Sequence, residues 1–321
     1  MPNSPQATAA KSIRHHDCLS LLRELQNTDG GWGFHAEACS RVEPTTWAMR
    51  ALFDGSEDGS HGDSVRKAAD FLLGAQLADG SWPASPQIPT GSWVTSHACT
   101  VLRGDENSAN PVRAGLQWLC ADLPRDSSLL QRVARRIFSH SGPATHDDSL
   151  RGWGWTVRTA SWVEPTAFAL LSLRSANAKL LPGNAGQRRE LGVSLLYDRM
   201  CPNGGWNCGN PSVYGVDGEA LVLPTSWALL ALHGEPEKPV RAMSLRWLQE
   251  NFAKIESAGS LAAASIALQH YGITPPAAKR SLYDWSAADF AAQGTQVLSW
   301  AALALDSGRR FFAPVHAGAG Q

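Results

Sequence analysis

A glycine–tryptophan turn recurs four times in this chain, and each copy precedes a helix that opens on threonine or serine. The clearest copies are Gln26-Asn27-Thr28-Asp29-Gly30-Gly31-Trp32 and Gln76-Leu77-Ala78-Asp79-Gly80-Ser81-Trp82. The others are Gly152-Trp153-Gly154-Trp155 and Met200-Cys201-Pro202-Asn203-Gly204-Gly205-Trp206. A unit that repeats must be read against its siblings, because one unit cannot bury its apolar face alone and stacking neighbours supply the core.

Two helix types alternate between the turns. The first opens with proline or threonine and is apolar nearly all round: Glu43-Pro44-Thr45-Thr46-Trp47, Val94-Thr95-Ser96-His97, Glu164-Pro165-Thr166-Ala167-Phe168 and Pro224-Thr225-Ser226-Trp227. Proline in the first helical turn costs no hydrogen bond, and a helix without a wet face is enclosed by others. The second type is amphipathic and basic at its start, as in Val65-Arg66-Lys67-Ala68-Ala69-Asp70-Phe71 and Val240-Arg241-Ala242-Met243. Its apolar residues return every three or four positions, which describes an outer helix. Ala258–Gln269 and Thr295–Leu305 read as inner helices that have lost the turn.

The expected fold is therefore all-α: an (α/α) toroid, a barrel of helical hairpins with about five or six inner and outer helices. A single domain is expected over 13–309, between loose ends at 1–12 and 310–321. An insertion at 126–146, with a basic helix over Leu129–Phe138, interrupts the repeat. Glycine supplies the positive φ that ends each outer helix. The tryptophan supplies an apolar plate with one N–H to satisfy. The glutamine is expected to reach open N–H groups of a neighbouring inner helix. On this reading the turn is a staple, and chemistry belongs to the positions that do not repeat.

Bulk properties exclude several classes. With 28 basic and 29 acidic residues there is no basic stripe for a nucleic acid. Six cysteines without a CxxC pair read as free thiols of a reducing, cytoplasmic setting. Residues 1–11 lack an apolar signal core, and no run approaches the roughly 18 apolar residues of a membrane span.

The Gln-x-x-x-Gly-x-Trp turns followed by Thr-x-x-Ala-Leu-x-Ala-Leu helices resemble the squalene/oxidosqualene cyclase and protein-prenyltransferase β-subunit repeat family over about residues 16–305. That resemblance implies a central aromatic-lined cavity that takes an isoprenoid or another hydrophobic small molecule. It also implies a terpenoid-cyclase-like or prenyltransferase-like role, with peripheral membrane contact. In class II members an Asp-x-Asp-Asp-Thr-Ala motif opens an inner helix and its middle aspartate protonates the polyene. Matching Thr166-Ala167 to that motif puts Trp162, Glu164 and Pro165 at the aspartate positions, so the motif is absent and Glu164 falls on the proton donor's place. Glu43 stands in the same frame one repeat earlier. The bland reading of both is a carboxylate favoured by a helix N-terminus.

The zinc pair of protein prenyltransferases, Asp-x-Cys with a distant histidine, has its nearest analogue in Asp217, Glu219 and His270, with Cys208 nearby. No thiolate stands at the required place, so neither metal nor cofactor is expected. Complement-like thioester chemistry fails, because the chain reads Cys208-Gly209-Asn210-Pro211. The pair Asp147-Asp148, beside His146, reads as solvated surface. The catalytic candidates are Glu164, Glu43 and Asp217; the candidate substrate contacts are Trp93, Trp153, Trp155, Trp162, Tyr214 and Glu219. A non-catalytic toroid that binds a lipid or protein partner is the alternative, and a toroidal glycoside-acting enzyme with two facing carboxylates is a lesser one.

Overall fold

The computed structural model describes residues 5–53, 62–103, 106–121, 147, 149–213 and 215–306, with side chains from residue 14 onward. Twelve α-helices lie among them. The outer helices are α1 (Pro5–Glu24), α3 (Gly62–Gly74), α5 (Ala109–Ala121), α7 (Ala185–Asp198), α9 (Pro239–Phe252) and α11 (Ala287–Ala292). The inner helices are α2 (Val42–Leu52), α4 (Val94–Leu102), α6 (Val163–Ser175), α8 (Val222–Leu232), α10 (Ala258–His270) and α12 (Thr295–Leu305). Each inner helix packs on the next, and α12 packs on α2. The ring therefore closes with six inner helices, all running in the same direction.

Helix α1 begins inside the stretch expected as a loose N-terminus. The Leu129–Phe138 helix, the 310–321 tail and Tyr214 lie outside the described residues. Three short antiparallel ladders, not anticipated from the sequence, occupy turns and loops: Pro83–Ser85 with Ile88–Gly91, Met200–Cys201 with Gly205–Trp206, and Ser212–Val213 with Val216–Asp217. The six cysteines are free. No helix among the described residues is long and apolar enough to cross a membrane.

The staple is built by two hydrogen bonds at each tryptophan. The backbone N–H of Trp32, Trp82, Trp153 and Trp206 donates to the hydroxyl of Thr45, Thr95, Thr166 and Thr225, in each case at 2.9 Å. The indole N–H donates back to the preceding outer helix, at Leu22 O (2.8 Å), Leu72 O (2.7 Å), Leu119 O (2.9 Å) and Leu196 O (2.6 Å). Each indole is buried, so these bonds satisfy donors that would otherwise be stranded. The threonine at the inner-helix opening is thus one half of the lock.

The glutamine acts differently from expectation. Gln26 Nε2 donates to Gly30 O (2.8 Å) and Ser64 O (2.9 Å), and Gln76 Nε2 to Gly80 O and Pro111 O (both 2.9 Å). It meets carbonyls in its own turn and at the start of the next outer helix, because an amide nitrogen is a donor and needs acceptors. The third turn has no glutamine. There Arg188 lies 4.1 Å above the Trp153 ring and donates to Gly152 O (2.9 Å).

Candidate functional site at the N-terminal rim of the barrel

Because the inner helices are parallel and share the lock, the same offset in each one points at the same level of the barrel. Two residues beyond the threonine stand Trp47, His97, Phe168 and Trp227; Trp300 occupies this level on α12, and Ala263 on α10. Their rings fill the centre. Trp47 lies 5.5 Å from Trp227, 5.5 Å from Trp300, 5.8 Å from Phe168 and 5.4 Å from His97, centroid to centroid. His97–Phe168 (4.2 Å), Phe168–Trp227 (5.4 Å) and Trp227–Trp300 (5.2 Å) complete the plug. The missing ring on α10 is made good by Trp300, which comes to within 3.5 Å of where a Gly259 side chain would begin. A cavity of about 20 Å³ remains beside Thr46, Trp47, Arg50, His97 and Phe168. That is room for about one water, whereas ligand pockets run to roughly 300–1,000 Å³. The central cavity implied by the resemblance is therefore filled by the protein's own aromatic side chains. Burial and the neighbouring Arg50 push the His97 imidazole down to about 3, so it is neutral in the plug.

One turn above the plug, at the N-terminal rim, the same offset gives Glu43, Trp93, Glu164, Leu223, Gly259 and Gln296. Here the repeat diverges, and here the titratable groups collect. Glu43 Oε1 accepts a 3.2 Å hydrogen bond from Gln296 Nε2. Desolvation, joined by the negative field of Glu164, pushes the Glu43 carboxyl up to about 7; the Gln296 amide and the Trp93 indole work in the other direction. Trp93 Nε1 is buried and reaches no hydrogen-bond partner, so it faces that carboxyl without a full bond. Glu164 is also raised, by burial. The Glu43 carboxyl, raised chiefly by burial and further by the charge of Glu164, therefore keeps a proton in a large fraction of molecules near neutrality.

The structure sorts the remaining candidates. Trp155 joins the rim, its ring 5.0 Å from Trp93 and its carbonyl accepting the Trp93 backbone N–H at 3.1 Å. Trp162 precedes α6 and is partly exposed beside Glu164. Trp153 is only 2% exposed and belongs to a staple, so its place among the substrate contacts is corrected: its indole N–H is spent on Leu119 O. Asp217 and Glu219 are exposed on the hairpin and loop before α8. His270 ends α10 at the opposite end of the barrel from Asp217, so the two are not brought together. Among the described residues no three His, Cys, Asp or Glu side chains form a metal-binding group. Asp147 is tied into a local turn, its carboxylate accepting Ser149 N–H at 2.8 Å; Asp148 and His146 lie outside the described residues.

Sequence reasoning missed Gln296 and the plug. The signal for the plug was the common offset from the threonine, which places Trp47, His97, Phe168 and Trp227 at one level once the helices are aligned; Gln296, on a helix without the lock, carried no such signal.

No family model matches the chain. Drimenyl diphosphate synthase of Streptantibioticus cattleyicolor is 34% identical over 82 residues, 26% of this chain and 15% of that protein. Drimenyl diphosphate synthase of Streptomyces showdoensis is 24% identical over 221 residues, 59% of this chain and 40% of that protein. The chain thus spans well under half the length of either relative. A crystal structure of a protein from Actinoplanes shares the fold, with a TM-score of 0.54 and 19% identity over 81% of this chain and 74% of that one.

Proposed function

We propose, for a chain whose relatives are terpenoid cyclases, that it protonates an isoprenoid over its N-terminal rim, with Glu43 as the acid and Glu164 as its companion. The observation that carries this reading is the Glu43–Glu164 pair, held at one level of the barrel beside Trp93, with both carboxyls raised in proton affinity by burial and Glu43 further by the charge of Glu164.

A carboxyl held near 7 is protonated in a large fraction of molecules at neutral pH, which is the state a general acid needs. The transferred proton forms a C–H bond with the π electrons of a terminal alkene and leaves a tertiary cation. Trp93, Trp155 and Trp162 offer aromatic faces to such a cation. The carboxylate left behind is met by the Gln296 amide and the Trp93 N–H. The sequence favoured Glu164 as the acid; Glu43 is preferred here because the Gln296 amide donates to it and the Trp93 indole faces it. Asp217 and Glu219, exposed nearby, remain candidates for guiding the substrate at the mouth.

With the barrel centre filled, the substrate lies across the rim and not inside the ring. The same plug favours a second reading, a toroid that holds a hydrophobic molecule or partner on this face without turning it over. Incubation with squalene and with linear prenyl diphosphates, followed by mass spectrometry of the products, separates the two. Turnover that disappears in Glu43→Gln while the fold persists supports the acid. Turnover undiminished in that variant removes Glu43 from the mechanism, and co-purified lipid without turnover favours the binder.

A further inference from the structure

We propose that Gln296 is the positioning residue of the Glu43 carboxyl, and that the seam at which the ring closes holds it there. This inference rests on the acid reading given above. Gln296 lies 253 positions along the chain from Glu43, in the first turn of the last inner helix, yet its Nε2 donates to Glu43 Oε1 at 3.2 Å.

Two contacts fix that first turn. Thr295 N–H donates to Phe34 O at 2.9 Å. Gly294, at φ +119°, brings its backbone so near that a side chain would begin 2.9 Å from the same oxygen. Phe34 belongs to the first turn's loop, and Trp32 in that loop is locked to Thr45 on α2. One loop thus holds both the helix that carries the acid and the helix that carries its partner. The rim position on the other ring neighbour of α2 is Trp93, whose indole faces the carboxyl from the α4 side.

The chemistry follows from which oxygen is engaged. An oxygen that accepts an amide N–H is the carbonyl-like oxygen of a protonated carboxyl, so the transferable proton resides on Oε2. After transfer, the same amide stabilises the new carboxylate. Gln296 therefore orients the acid before the step and lowers its proton affinity throughout. The groups that face Glu43 from the packed elements are Glu164 on α6, Trp93 at the start of α4 and Gln296 on α12.

The test is a direct titration of Glu43 by carbon-detected NMR of ¹³C-glutamate-labelled full-length protein, the resonance assigned by its loss in Glu43→Gln. In Gln296→Leu the Glu43 midpoint rises by roughly half a pH unit or more, as the loss of one hydrogen bond to a carboxylate requires. Glu164→Gln moves it down. Gln296→Met repeats the test should the leucine variant fold poorly, with the unfolding midpoint as the control. A midpoint that stays put, or falls, in both Gln296 variants overturns the proposal, since a fall means the amide oxygen had been accepting the proton. On a prenyl substrate that the wild type consumes, Gln296→Leu loses kcat by roughly 10- to 100-fold with KM little changed. If the midpoint shifts as expected and no prenyl substrate is consumed by the wild type, the acid function fails and the positioning role stands. If substrate is consumed and the midpoint is indifferent to Gln296, the reverse holds.

Discussion

The two ends of the barrel carry opposite charges and treat them oppositely. At the C-terminal end, arginines meet the carbonyls that the inner helices leave open. Arg174 donates to Leu230 O (3.1 Å), Ala231 O (2.9 Å) and His233 O, and Arg241 to Leu232 O and Glu235 O (both 2.9 Å). The bonds to Leu230, Ala231 and Leu232 complete the end of α8 and complement its dipole, and those to His233 and Glu235 hold the chain just beyond it. At the N-terminal end the carboxyls of Glu43 and Glu164 also have the sign the helix ends favour, but no cation answers the shift at Glu43; an amide and an indole do. Charge that is fully answered is architecture. Charge left partly unanswered keeps a proton available.

Four measurements on three substitutions probe that contrast, in order of expected effect. Glu43→Gln lowers turnover of a prenyl substrate by about 10²- to 10⁴-fold, the usual share of a general acid, as read by product yield; Arg174→Met leaves turnover in place. Trp227→Ala opens the plug and costs about 3–5 kcal/mol in chemical denaturation; a much smaller loss would mean that the rings pack loosely. Third is the pH dependence of stability. The folded Glu43 carboxyl sits near 7 against 4.5 for the ordinary group, so the native state binds more protons than the unfolded state between those values. This contribution is largest at low pH and is lost as pH rises through that window, by up to about 3 kcal/mol. Glu43→Gln removes that slope, so its unfolding free energy exceeds that of the wild type above pH 7; parallel curves would show that Glu43 is not shifted. Smallest is Arg174→Met, which strands helix-end carbonyls and costs about 2 kcal/mol in the same denaturation assay, with the Glu43 titration unmoved.

The alternation of helix types and the toroid were legible because the lock is written in sequence: a tryptophan N–H needs a hydroxyl, and a threonine stands at the right place in four helices. The sixth hairpin was harder to count. Helix α10 starts on a Ser257 cap and α12 on Gly294, so neither carries the lock. Glu43 and Glu164 were visible as candidates in the same Glu-Pro-Thr context, and the tryptophans that flank Glu164 in the chain favoured it over Glu43. What separates them comes from Gln296, which only ring closure brings near. The filled centre was illegible for another reason: five rings at one level lie on five separate helices, and whether they line a space or occupy it depends on the barrel's radius.

The contact between α12 and α2 has a consequence for how the molecule comes apart. An open array of hairpins frays from its terminal repeats, each end lacking a neighbour. A closed ring has no such end, so a hairpin can leave only by breaking two interfaces at once. Loss of structure should then be steep and nearly all-or-none. Assembly carries the converse burden, since the last interface joins segments about as far apart as the chain allows and closes a large loop. The Phe34–Thr295 bond lies at that seam. A chain halted one hairpin short would have most of its core and an unheld Glu43, so proton-donating competence would arrive with the closing of the circle.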